Sequence, residues 1–140
     1  MGYIVMFGKR MKQIGYQQTT SQSFESVQDR VRSAIRTEGL SIVSEINAQA
    51  TFLQKLGVMF QPYLILGVCH PQTAHAVVSA DPEMGHFLPC NVLVYQQGDV
   101  VHVSAVQPSV MMSLTHQPDI EQYAKEIEEK LHRIVDASII

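Results

Sequence analysis

The sequence predicts an α+β sandwich, in which an antiparallel or mixed β-sheet carries two long helices on one face. Segments typical of strands and helices interleave, without the regular long crossovers of a doubly wound parallel sheet. Two apolar stripes at helical spacing, within residues 24–35 and 120–135, each leave a polar side for solvent. The chain has 140 residues, 46% of them hydrophobic, which suits a single domain with a buried core. We assign residues 14–140 to this domain and residues 1–13 to an N-terminal extension.

The first predicted elements are a short strand over residues 16–20 and a long amphipathic helix. Ser23 suits the start of this helix, because its hydroxyl can accept hydrogen bonds from the unpaired amides of the first turn. Gly39 suits its end, because glycine tolerates the left-handed backbone that often terminates a helix. The side of the helix that would face a core comprises Phe24, Val27, Val31, Ala34 and Ile35.

A strand over residues 40–46 and a second, short helix are predicted next. Side chains alternate between the two faces of a strand, so its apolar residues would share one face. These residues are Leu40, Ile42 and Ile46. Asn47 can cap the short helix, and Gly57 can end it.

The middle of the chain opens with PYLILGVC, residues 62–69, which is an almost unbroken apolar run. Such runs are typical of strands buried on both faces, or on one face and at an interface. Pro71 suits the first turn of a third helix. The buried side of that helix would comprise Ala74, Val77 and Val78. Residues 81–85, DPEMG, break the chain before the next strand.

The last third of the chain predicts a hairpin and a C-terminal helix. Residues 90–95 and 100–106 are strand-like and flank the polar turn QQGD, and His102 on the polar face of this hairpin is expected to be solvated. Pro108 opens an irregular or short helical link. The final helix has a long apolar stripe, formed by Ile120, Tyr123, Ala124, Ile127, Leu131, Ile134 and Val135. This stripe would pack beside the first long helix on the sheet.

Composition and charge exclude several function classes. The net charge is −3 and the pI is about 6.0, whereas a protein that binds nucleic acid by neutralising phosphates is normally basic. No apolar run approaches the roughly 18 residues that span a bilayer. The N-terminal apolar stretch precedes the positive charges, which is the reverse of a secretory signal. We therefore predict a cytoplasmic protein that binds neither nucleic acid nor membrane.

The stretch LGVCHPQTAHAVVSADPEMGHFLPCNV contains both cysteines and predicts a candidate site. Cys69 ends one predicted strand and Cys90 begins the next. If these strands are antiparallel neighbours, both thiols lie at the same rim of the sheet. His70, His75 and His86 lie on the excursion that joins them.

Four interpretations of this rim stay open. The five residues could line a small-ligand pocket in a binding or assembly module without turnover, which is the function we favour over an enzyme. Cys69, His75, His86 and Cys90 could bind zinc or copper, since two thiolates with imidazoles suit a tetrahedral site. Cys69 could be a catalytic or redox thiolate, because it precedes a helix N-terminus. Both cysteines could also simply be packed as small hydrophobic residues.

Three segments carry a resemblance to a known family. EGLSIVSEINAQATFLQKLG, PYLILGVCHPQTAH and ADPEMGHFLPCNVLVY resemble domain-of-unknown-function family 302, over residues 16–106. The resemblance implies a β-α-β4-α sandwich like that of the TATA-binding-protein superfold, and a tendency to form homodimers, but no established activity. The charged fraction of 16% also favours a homodimer, because it is below the roughly 25% of a typical soluble protein.

Overall fold

A computed structural model describes residues 5–6, 9–10, 13–115 and 117–140. The predicted N-terminal extension, residues 1–13, lies largely outside the described residues. Within it, the backbone of β1 (Val5–Met6) pairs antiparallel with that of β2 (Lys9–Arg10).

The domain is built on a five-stranded sheet in which every pair of neighbouring strands is antiparallel. The strands are β3 (Gly15–Thr20), β4 (Ser41–Asn47), β5 (Tyr63–Cys69), β6 (Cys90–Gln97) and β7 (Val100–Val106). Their order across the sheet is β3-β7-β6-β5-β4, so β3 and β4 form the two edges. The predicted α+β class with an antiparallel sheet is confirmed.

Two long helices, α1 (Phe24–Thr37) and α5 (Pro118–Ser138), pack against each other and cover one face of this sheet. The shorter helical elements are α2 (Ala48–Leu56), α3 (Pro71–Ala80), a 3₁₀ helix (Pro82–Phe87) and α4 (Pro108–Met112). With these short elements set aside, the order is the predicted β-α-β4-α.

The predicted helix boundaries rest on local hydrogen bonds that the structure contains. The Ser23 hydroxyl accepts a hydrogen bond from the amide of Ser26, at 3.2 Å, and starts α1. The Asn47 side chain accepts one from the amide of Ala50, at 3.0 Å, and starts α2. Gly57 ends α2 with a left-handed φ of 64°. The capping bonds of Ser23 and Asn47 each contribute about 1 kcal/mol, so these two residues define where α1 and α2 begin.

The core lies between the sheet and the two long helices. Alternate residues of the central strands face the helices and are almost fully buried, as Leu66, Val92 and Val103 illustrate. Val31 of α1 and Leu131 of α5 meet them from the other side. Burying each such side chain contributes about 1.5–3 kcal/mol, so this layer supplies most of the driving force for folding.

One strand prediction is wrong because β4 contains a bulge. The register shifts between Ile42 and Ser44, which makes Val43 an extra residue. Beyond this point Glu45 lies opposite the helix-facing Leu66, and Ile46 lies on the other face of the sheet, where it is 50% exposed. One inserted residue moves every later side chain of the strand to the opposite face of the sheet. Ile46 therefore does not share a face with Leu40 and Ile42.

The bulge gives α1 an ionic contact with the edge of the sheet. Glu45, now on the helix side, accepts two hydrogen bonds from the guanidinium of Arg32 on α1. These bonds lower the pKa of the Glu45 carboxyl, because they stabilise its charged form. Both side chains are partly exposed, so the pair contributes at most about 1 kcal/mol.

We predict that Gly67→Ala destabilises the protein by about 1–3 kcal/mol, as overpacking does. A methyl group at Gly67 would collide with Ser44 Oγ and would lie 2.6 Å from Pro89 Cγ. Gly85→Ala is the matched control, because a methyl group there meets nothing within 4 Å and the backbone has no left-handed φ. Urea unfolding curves measure both variants. Equal stability of the two alanine variants would contradict this packing.

Candidate functional site

The two cysteines lie at one rim of the sheet, where β5 ends and β6 begins. Cys90 lies directly opposite Val68, the residue before Cys69, in the antiparallel pair. Cys69 and Cys90 both line a cavity of about 30 Å³ under α3, and both are free thiols. His70 and Thr73 also line this cavity. The structure therefore brings together three of the five residues that the sequence placed at this rim.

His70 is fixed by the start of α3. It occupies the N-cap position, and its Nδ1 lies 2.8 Å from Thr73 Oγ1. Pro71 occupies the first turn of α3, as predicted. The buried residue of this helix is Val77, whereas Val78 is exposed, so the prediction that Val78 is buried is wrong.

His75 and His86 are exposed, and neither lines the rim cavity. His75 is exposed on α3. The side chain of His86 is 77% exposed on the 3₁₀ helix, with its Nε2 3.7 Å from Glu83 Oε1. Across the described residues, no group of three or more His, Cys, Asp or Glu side chains is close enough to hold a metal. The structure therefore does not assemble the predicted set of Cys69, His75, His86 and Cys90.

The two thiols differ in their environment. Cys90 is buried, and this burial raises the pKa of its thiol from 9.0 to about 11, with the nearby Cys69 as a second cause. At neutral pH the Cys90 thiol is therefore protonated, which makes it a weaker nucleophile than an ordinary cysteine. Cys69 is half-buried at the end of β5 and is the more accessible of the two.

The rim cavity is small for a ligand-binding site. Its volume of about 30 Å³ is enough for one or two water molecules. Sites for organic ligands usually enclose about 300–1,000 Å³. With its side chains in this arrangement, the rim cavity is therefore too small for a typical organic ligand.

Sequence reasoning missed a second cavity that shares Cys90 with the first. This cavity, of about 50 Å³, lies among α3, the 3₁₀ helix, α4 and α5, and its lining is almost wholly apolar. Three methionines, Met84, Met111 and Met112, contribute to its lining together with Cys90. Met111 and Met112 are neighbours on α4, but Met84 and Cys90 come from other elements, so no spacing pattern joins the four residues.

A cluster of polar side chains holds α5 against β3. The Tyr16 hydroxyl donates a hydrogen bond of 2.7 Å to Asp136 Oδ1, and its ring stacks on His132 at 4.0 Å. The bond to Asp136 raises the pKa of Tyr16, because deprotonation would place two negative oxygens together. His132 and Asp136 are four residues apart, so they lie on the same side of α5. This spacing is the sequence signal that could have indicated that both contact one neighbouring residue.

The sheet face opposite the long helices carries a row of stacked rings. Tyr63 of β5 stacks on Tyr95 of β6 at 5.2 Å, and Tyr95 stacks on His102 of β7 at 4.6 Å. His102 is therefore half-buried rather than solvated, and this burial lowers its pKa. The ring stacking across three strands explains the difference from the sequence-based expectation.

The fold and the rim define a class of small β-α-β4-α sandwich proteins. A crystal structure described as that of an uncharacterised conserved protein DUF302 from Bacillus stearothermophilus matches with a TM-score of 0.81 and 26% identity. The match covers 89% of this chain and 97% of that one. The family model "Domain of unknown function DUF302" matches residues 16–138, so the chain belongs to this family. No curated protein matches the chain.

We predict that one thiol reacts with iodoacetamide in the native protein at pH 8, and that this thiol is Cys69. Cys90 is protected both by burial and by its raised pKa. Intact mass spectrometry should show one adduct in buffer and two in denaturant. Cys69→Ser should show no adduct in buffer, and labelling of the native Cys69→Ser protein would contradict the prediction.

We also predict that Cys90 makes the protein less stable at alkaline pH. The unfolded thiol loses its proton near pH 9, whereas the folded thiol holds it until about pH 11. The free energy of unfolding should therefore fall through this window, by up to about 3 kcal/mol. Cys90→Ala should remove this part of the decline, when urea unfolding is measured at pH 8, 9, 10 and 11. Parallel pH profiles of the two proteins would contradict the prediction.

Proposed function

We propose that the protein is an assembly module that acts as a homodimer, without turnover of a substrate. The contact would be formed by the β4–α2 surface, which we define as the exposed apolar side chains between Val43 and Phe60. The single observation that carries this proposal is the concentration of exposed hydrophobic residues in this segment.

Seven of the twelve large hydrophobic side chains that are exposed among the described residues belong to the β4–α2 surface. They are Val43, Ile46, Leu53, Leu56, Val58, Met59 and Phe60. Leu56 is 69% exposed and Met59 is 82% exposed. Scattered apolar residues are normal on a protein surface, whereas a cluster of them is typical of an interaction site.

The charges of this surface favour a second copy of the same chain. Residues 41–60 contain two charged side chains, Glu45 and Lys55. Glu45 is already neutralised by Arg32. Each copy therefore brings one unneutralised charge, Lys55, to a two-fold contact between identical surfaces, so repulsion between like charges is small there.

The position of β4 adds a further reason. It is an edge strand, so one side of its backbone has no partner strand among the residues that the structure describes. Such edges promote association between chains. The bulge at Val43 limits continuous pairing along this edge, so we place the contact on side chains rather than on backbone hydrogen bonds.

A second candidate is thiol chemistry at Cys69. It is favoured by the position of Cys69 immediately before His70 and α3, together with its partial exposure. Alkylation rates measured across a pH series test it, because the rate of an activated thiol would reach its midpoint at a pH well below that of ordinary cysteine.

We predict that the wild-type protein sediments as a dimer at about 10 μM, and that Leu56→Lys/Met59→Lys sediments as a monomer. Two buried lysines would weaken the contact by about 100-fold or more, since each would lose its hydration. Leu114→Lys is the matched control, because Leu114 is 76% exposed and lies outside the β4–α2 surface. It should leave the dimer intact. A monomeric wild-type protein at 100 μM would contradict the proposal, as would a control that dissociates equally.

A further inference from the structure

Four of the side chains that line the apolar cavity beside Cys90 contain sulfur. Met84 comes from the 3₁₀ helix, Met111 and Met112 from α4, and Cys90 from the start of β6. Met84, Met112 and Cys90 are buried, so three of these four side chains are withdrawn from solvent. We propose that this cavity binds a monovalent soft metal ion, Cu(I), through the three thioethers and the sulfur of Cys90.

The size and lining of the cavity limit what can occupy it. At about 50 Å³ it is too small for an organic ligand of ordinary size. Ordered water needs two to four polar partners, which an almost wholly apolar lining does not offer. A single ion needs neither the volume of an organic ligand nor oxygen or nitrogen partners, when sulfur atoms supply its ligands.

The type of ligand atom selects the metal. Thioether and thiolate sulfurs are soft ligands, which favour Cu(I) over Mg²⁺, Ca²⁺ or Mn²⁺. The imidazoles that zinc sites commonly use are absent from this cavity, since His75 and His86 are exposed and neither lines it. The thioethers therefore replace the histidines in the ligand set that the sequence suggested.

Charge balance favours a monovalent ion. When the ion binds, the Cys90 thiol releases its proton to solvent, and a sulfur–copper bond forms without any change in the oxidation state of copper. One thiolate then neutralises one Cu(I). The lining contains no charged side chain, so a divalent ion would leave one uncompensated positive charge in an apolar site.

The larger cavity adjoins the smaller one at the rim, because the two share lining residues. The smaller cavity is lined by Cys69 and shares Cys90, Thr73 and Val77 with the larger one. Cys69 is half-buried, so it can meet an ion from solvent before Cys90 does. This arrangement gives the two cysteines different tasks, with Cys69 at the entrance and Cys90 in the site.

The test uses the full chain with Cys69→Ser, which leaves Cys90 as its one thiol. Ag(I), a soft monovalent ion that is not oxidised, is added to protein labelled with ¹³C at the methionine methyl groups. One equivalent should bind, and the methyl signals of Met84, Met111 and Met112 should shift. The signal of Met59, which is 82% exposed and outside the cavity, should stay in place.

Affinity for Cu(I) is then measured anaerobically by competition with bicinchoninate. Met84→Leu/Met112→Leu should weaken binding by about 100-fold or more, because even a single outer-shell change typically costs roughly 10–100-fold. Met59→Leu is the control and should bind like the parent. Leucine conserves most of the volume of methionine, so circular dichroism and thermal unfolding should show that both variants fold.

Two results would overturn the proposal. Methyl signals of the three cavity methionines that stay unchanged at one equivalent of Ag(I) would show that methionine fills core space there and nothing more. Equal affinity of the Met84→Leu/Met112→Leu and Met59→Leu variants would show the same. Neither result bears on the homodimer, because the cavity and the β4–α2 surface share no residue.

Discussion

The antiparallel register between β5 and β6 is the constraint on which the rest of this structure depends. It runs from the pair Tyr63 and Tyr95 to the pair Val68 and Cys90. This register directs Leu66 and Val92 together towards the helices, which creates the core. It also places the end of β5 and the start of β6 at one rim of the sheet. The chain that joins them therefore covers this rim, as α3 and the 3₁₀ helix. Both small cavities lie beneath this closure.

Most of the fold could be predicted from the sequence because its signals are local. Ser23, Asn47 and Gly57 mark helix ends through their own side chains or backbone freedom, so the structure confirms them. The orientation of Ile46 could not be predicted, since strict alternation assumes that no residue is inserted, and the bulge at Val43 inserts one. The environment of His102 depends on Tyr95 of the neighbouring strand, which is a contact between strands rather than a local pattern.

The candidate site could be predicted only as far as the order and direction of the strands determine it. Adjacent antiparallel strands place Cys69 and Cys90 at one rim, and that geometry needs no side-chain detail. The directions of His75 and His86 depend on the rotation of short helical elements, which apolar spacing in so short a segment does not fix. The methionine-lined cavity was missed because it forms where four elements meet, and its members share no sequence period.

The extra residue in β4 affects how relatives of this chain are compared. A homologue that lacks a residue equivalent to Val43 would have a regular strand there, and an ungapped alignment would match each of its inward side chains after this point with an outward one here. In such an alignment, a glutamate matched with an isoleucine would look like a substitution. It would instead be a mismatch between side chains that lie on opposite faces of the sheet. A one-residue gap at Val43 restores the structural equivalence, so substitution patterns in this strand carry meaning once that gap is placed.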